Sequence, residues 1–177
     1  MTRNHRRLLS GSLLVLFQLF VPAGTGQSVE EYEVKAAFIY NFTRFVEWPA
    51  SESSSFAICI LGDDPFQTTI DKLTNGKLVG NRPVQIRRLK DGVEARQCQI
   101  VFVSASERAK ATRLVESVRG TPVLTVGEST DFLRMGGMFY LSTADNHVSV
   151  VINPVATEAA RLKVSAKLMT LAKVYKP

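Results

Sequence analysis

The strongest constraint on the fold is a set of short, nearly continuous apolar runs. They are Phe56–Leu61, Cys98–Val103 and Pro122–Val126, separated by turn signals and by stretches of helical spacing. A strand exposed to water on one face alternates apolar and polar residues. A run that stays apolar is buried on both faces, as in a parallel sheet covered by helices. Strands alternating with helices then specify an α/β chain, and 177 residues at 45% hydrophobic content suffice for one such domain.

The connecting segments fill in the order. Ser28-Val29-Glu30-Glu31 has the form of a capping box, which predicts a helix start, and Trp48-Pro49 predicts its end. After Gly62, Asp64 as N-cap and Pro65 at the first turn predict a helix carrying Phe66, Ile70 and Leu73 on one face. Val84–Leu89 reads as a strand, and Ser106–Val118 as an amphipathic helix with Ala109, Leu114, Val115 and Val118 inward. Thr130–Met135 reads as a short helix. Met138–Leu141 and Val148–Ile152 flank Asp145-Asn146-His147 and read as an antiparallel hairpin. Asn153-Pro154 predicts the cap of one long terminal helix reaching Ala172. The expected architecture is a three-layer α/β/α sandwich, its sheet mixed but mostly parallel, with an antiparallel edge hairpin.

The amino terminus has another purpose. Arg3, His5, Arg6 and Arg7 precede an apolar run from Leu8 to Val21, followed by the small residues Ala23, Gly24, Thr25 and Gly26. That order describes a secretory signal peptide over residues 1–26. The run is shorter than the roughly 20 apolar residues that cross a bilayer. Residues 27–177 are then expected to form a single exported domain. The signal also absorbs half of the basic excess. The formal net charge is +6, residues 1–26 hold three arginines and no acid, and the remainder therefore carries +3. Without a dense Lys/Arg stripe, a nucleic-acid partner is not expected.

Export places Cys59 and Cys98 in a compartment where disulfides persist, leaving either one intramolecular bridge or two buried thiols. If both cysteines sit in neighbouring parallel strands in simple register, they are offset by about three residues, roughly 10 Å. A bridge needs Cα atoms about 4.4–6.8 Å apart, so it would require the strands to be staggered or their boundaries to be shifted. Little else suggests chemistry. His147 is the one histidine after the signal segment, no Gly-rich phosphate loop or nucleophile elbow occurs, and no cofactor or metal is expected. Asp63-Asp64 follows the first apolar run as receiver-domain acids do. The corresponding later strand, however, ends Val103-Ser104 instead of in an acceptor aspartate.

The residues carry a family likeness. Glu33-Val34-Lys35-Ala36-Ala37-Phe38-Ile39-Tyr40-Asn41-Phe42, with Phe45-Val46-Glu47-Trp48-Pro49, resembles the amino-terminal signature of the YfiR-like periplasmic proteins. Five further segments resemble that family in the correct order: Ile58–Phe66, Cys98–Ser104, Pro122–Val126, Gly136–Met138 with Val151–Asn153, and Leu162–Ala172. The resemblance implies a non-catalytic, periplasmic α/β/α protein that represses an inner-membrane diguanylate cyclase by binding its periplasmic sensor domain, lowering cyclic di-GMP and biofilm formation. It also implies a homodimer, an outer-membrane lipoprotein that sequesters the repressor, and a Cys59–Cys98 pair that can be bridged. A second cysteine pair found in some members, in the segment corresponding to Asp131–Leu141, is missing from this sequence.

Three functional expectations follow. A binding protein would use the aromatic helix, with Arg44 and Trp48 as contact residues. A periplasmic small-ligand sensor, acting on another membrane signalling protein such as a histidine kinase, would use the carboxyl ends of the strands, at Gly62, Asp63, Ser104 and Glu128. An exported hydrolase would need Asp63, Asp64 or His147.

Overall fold

The computed structural model describes residues 25–145 and 147–176, with the first helix α1 (Thr25–Phe45) leading into β1 (Val46–Glu47). The signal-peptide reading therefore lies almost wholly outside the described residues. The helix is already formed at Thr25, so Ser28 is not its cap; interior Gly26 opposes helix by about 1 kcal/mol, too little to stop it. At the other end Val46 and Glu47 leave the helix to pair with a later segment, before Trp48-Pro49 is reached.

The first strand of the main sheet is β2 (Phe56–Leu61), followed by α2 (Thr69–Thr74), β3 (Leu78–Val79) and β4 (Arg82–Leu89). A 3-10 turn at Val93–Gln97 leads into β5 (Ile100–Val103). A second, at Ala105–Glu107, leads into α3 (Arg108–Ser117) and β6 (Leu124–Gly127). The hairpin is β7 (Phe139–Ala144) and β8 (His147–Ile152); Asp145 has a φ of 49°, and Asn146 lies outside the described residues. The chain ends with α4 (Pro154–Ala159), β9 (Lys163–Val164), α5 (Ala166–Leu171) and β10 (Lys173–Val174).

Eight strands form one sheet in the order β10-β8-β7-β6-β5-β2-β4-β3, and β1 pairs with β9 apart from it. Strands β4, β2, β5, β6 and β7 run parallel, with Ile58 opposite Ile100 and Ile100 opposite Leu124. The antiparallel β7–β8 hairpin lies toward one edge, with two-residue β10 outside it. The apolar runs are buried on both faces, as expected of an α/β/α sandwich. Phe56, Ile58, Ile60, Phe102 and Val126 pack against Ile39, Phe42 and Ile70 of α1 and α2. The alternate residues Ala57, Cys59, Leu61, Val101 and Val103 pack against Ala111, Leu114 and Val115 of α3.

Four local expectations are corrected. Asp64 caps no helix: its Oδ1 accepts from Phe66 N at 2.8 Å in a tight turn, its Oδ2 accepts from Arg88 Nε at 2.8 Å, and Gln67 has a φ of 50°. Helix α2 starts only at Thr69. Thr130–Met135 forms turns, because Phe132 is folded back over Gly127 and Gly137, where a Cβ at either glycine would collide with its ring. Ala109 is exposed, and Ala111 takes the inward position in α3. The terminal helix is two short helices. Arg161 turns left-handed at φ 59°, Lys163–Val164 pairs with Val46–Glu47, and Ser165 caps α5 by accepting from Leu168 N at 3.3 Å.

Candidate functional site

The order of connections locates the crevice where sheets of this kind hold ligands. From β2 the chain moves to β4 by way of α2 on one face. From β5 it moves the opposite way to β6 by way of α3 on the other face. The strand order therefore reverses between β2 and β5, and the switch point lies beyond their carboxyl ends. Gly62, Asp63 and Ser104 sit there, with Glu128 following adjacent β6.

The protein's own side chains fill this rim. Asp63 N donates to Ser106 Oγ at 3.2 Å, and Ser106 Oγ donates to Ser104 Oγ at 3.4 Å. Gly62 has a φ of +96°, and a Cβ there would run into Glu107 Cγ, so the glycine is required twice over. Glu107 is held from the far side by Lys110 Nζ at 2.9 Å.

On the α1 side stands a buried ionic cluster. Lys35 Nζ lies 2.6 Å from Glu128 Oε2 and 2.6 Å from Glu31 Oε1; the side chains of Lys35 and Glu128 are only 4% and 5% exposed. Glu128 Oε1 also accepts from Ala105 N at 3.3 Å, and Glu31 from Thr143 Oγ1 at 2.8 Å. Burial pushes the Glu31 carboxyl up, but the bonds from Lys35 and Thr143 outweigh it and hold the group below its ordinary range. Burial pushes the Tyr32 phenol up, and the charge and hydrogen bond of Glu128 push it further. Formally the cluster is one cation between two anions. It ties α1 to the connections after β5 and β6 and to strand β7.

Glu128 was legible as a rim residue, whereas Lys35 was not. Its spacing held a signal: Lys35, Ile39 and Phe42 form one stripe of α1, and all three are buried. A lysine on such a stripe needs a buried acid, and Glu31 one turn earlier supplies only half of the answer.

The other expected site residues lie elsewhere. Arg44 is exposed in the last turn of α1, toward the opposite end of the sheet. Trp48 is half-buried there: its Nε1 donates to Gln99 O at 3.1 Å, and its ring meets Phe56 edge-on at 5.0 Å. His147 is exposed at the start of β8, its Nδ1 2.6 Å from Asp145 O. Four strand spacings separate β8 from β2, about 19 Å. The structure thus does not bring His147 together with Asp63 and Asp64, and Asp64 is already held by Arg88.

Cys59 and Cys98 are bonded to each other, with Cα atoms 6.1 Å apart. The 10 Å offset assumed both residues in strands. Cys98 instead ends the 3-10 turn before β5, and with Ala95 it packs on the α3 side of β2. The strands keep simple register while the cysteine stands outside it.

The comparisons with known proteins bear on this arrangement. The family model described as YfiR/HmsC-like matches residues 32–173, from the first buried turns of α1 to the start of β10. The chain belongs to the YfiR/HmsC-like family. This family is periplasmic and regulatory rather than catalytic, and its members act with a membrane regulator partner. No helix among the described residues is long and apolar enough to cross a membrane. No curated protein matches the chain. Among solved structures, an ABC domain in complex with L-Trp from Streptococcus pneumonia is similar at TM-score 0.53 and 9% identity, over 77% of this chain and 59% of that one. A conserved domain protein from Vibrio cholerae O1 biovar El Tor is similar at TM-score 0.53 and 9% identity, over 82% and 60%. The YfiR/HmsC-like chain thus spans about three-fifths of the length of these two chains, and at such identity they share its fold alone.

Proposed function

We propose that the protein is an exported negative regulator that binds the periplasmic sensor domain of an inner-membrane diguanylate cyclase and lowers cyclic di-GMP synthesis. The family match over residues 32–173 carries this reading. The filled switch-point crevice supports it, because Glu107, Ser106 and the Lys35 cluster occupy the place where an enzyme of this architecture would hold its substrate. Arg44 and the exposed part of Trp48 are the proposed contacts, on a homodimer that an outer-membrane lipoprotein sequesters. Titration of the purified chain into the periplasmic domain of a cyclase encoded beside it tests the reading. A saturable complex weakened by Arg44→Ala is expected; no complex, with both components folded, would refute it.

A second reading has one observation in its favour. On the α3 side of the rim a cavity of about 380 Å³ lies between Leu61, Gly92, Val93, Lys110, Arg113 and Leu114. This is where a small-ligand sensor would hold its ligand, passing the signal to a membrane protein such as a histidine kinase. Thermal-shift screening against a metabolite panel separates the two: stabilisation lost in Arg113→Ala supports the sensor, and no stabilisation leaves protein partners alone.

A further inference from the structure

The helix layer on the α3 side stops short of the hairpin. The connection from β6 to β7 runs through turns instead of a helix, and a cavity of about 260 Å³ lies between the end of α3 and α4. Its walls are aliphatic: Val115, Val118, Met138, Val155, Ala156 and Ala159. Val155 is 64% exposed on α4, an apolar residue without a packing partner to cover it. Gly136, in the left-handed region at φ +92°, keeps the opening wide, since a Cβ there would already crowd Val115.

Two polar groups in the lining are uncommitted. Thr125 is only 1% exposed; its Oγ1 accepts from Met138 N at 3.1 Å, and its hydroxyl proton has no acceptor among the described residues. Arg119 stands at the exposed side with no carboxylate partner among the described residues. Asn153 is held at both ends of its amide: its Nδ2 donates to Gly137 O at 3.3 Å, and its Oδ1 accepts from Ala156 N at 3.2 Å. An apolar pocket, partly open to solvent, with an unpaired hydroxyl donor in its wall and an unpaired guanidinium at its mouth suits a molecule with an aliphatic body and an anionic oxygen group. Size narrows the class. A dry cavity of about 150 Å³ takes benzene, so this pocket has room for a somewhat larger aliphatic body.

We propose that the cavity between α3 and α4 binds a small aliphatic monocarboxylate, its chain against the valines and Met138 and its carboxylate toward Arg119. This site is separate from the rim and independent of any cyclase, so it stands or falls apart from the regulatory reading. Hexanoate is the probe, titrated into the purified protein at neutral pH by calorimetry and by backbone amide shifts. Hexan-1-ol controls for the tail and acetate for the charge. Saturable hexanoate binding is expected, with shifts confined to residues lining the cavity and with both controls weaker. Arg119→Gln should loosen it about tenfold, the value of one charge-assisted hydrogen bond. Ala159→Phe, at an exposed position where folding is retained, should fill the space and abolish binding. Three results would overturn the proposal: no saturable binding at millimolar hexanoate, equal binding of hexan-1-ol, or undiminished binding to the folded Ala159→Phe protein.

Discussion

Lys35→Met removes the one cation of the buried cluster while keeping a long, helix-favouring side chain on the α1 stripe. Glu128, with its side chain 5% exposed, then keeps the bond from Ala105 N at Oε1, with the Tyr32 phenol nearby. Glu31 keeps Thr143 and more access to water, at 28% exposure. Breaking a buried pair by deleting one partner costs about 3–5 kcal/mol, because the surviving charge stays desolvated. Against a usual total of about 5–15 kcal/mol this is a severe loss. With a urea slope of about 2 kcal/mol per molar, the midpoint should fall by roughly 2 M. The double variant Lys35→Met/Glu128→Gln should recover much of this, since the amide can still accept from Ala105 N and is uncharged. Urea unfolding of wild type, both single variants and the double variant forms the cycle. A Lys35→Met midpoint within about 0.5 M of wild type, or single losses that simply add in the double variant, would refute the reasoning.

The Cys59–Cys98 bond closes a sequence separation of 39, and Cys59→Ser with Cys98→Ser should cost about 2–4 kcal/mol, read as the loss in urea midpoint against the oxidised wild type. Gly62→Ala meets both a left-handed φ and Glu107, so about 2 kcal/mol should be lost; Glu107→Ala in the same chain should return only part of it, because the backbone strain remains. The Glu31 carboxyl lies below its ordinary value in the folded protein, so its contribution is present above the unfolded value of about 4.5 and is lost as pH falls through the folded one. Glu31→Gln should therefore flatten the stability profile on the acid side, by less than about 1 kcal/mol because the group is partly exposed.

Strands β2, β5 and β6 were legible because burial on both faces leaves a short apolar run rich in β-branched residues and bounded by turn signals. The carboxyl rim followed from those strand ends, and Gly62, Asp63, Ser104 and Glu128 do lie along it. Long-range pairing was not legible. Lys163–Val164 carries no sign that it will pair with Val46–Glu47, and Arg161 shows no preference for the left-handed turn that divides the terminal helix. Spacing offered Asp64-Pro65 as a helix start, and it was overridden by Arg88, which arrives from β4 and holds Asp64 and Asp71 together. The three-residue offset of the cysteines was a sound distance applied to a residue that has not yet entered the strand.

The central claim is regulation from outside the inner membrane, and cellular cyclic di-GMP tests it most directly. The measurement compares the parent strain, a strain lacking this gene, and that strain complemented with the full chain or with a version lacking residues 1–26. The account predicts that cyclic di-GMP rises on deletion and that only the full chain brings it back down. Unchanged cyclic di-GMP on deletion, or equal rescue by the version without residues 1–26, would contradict it.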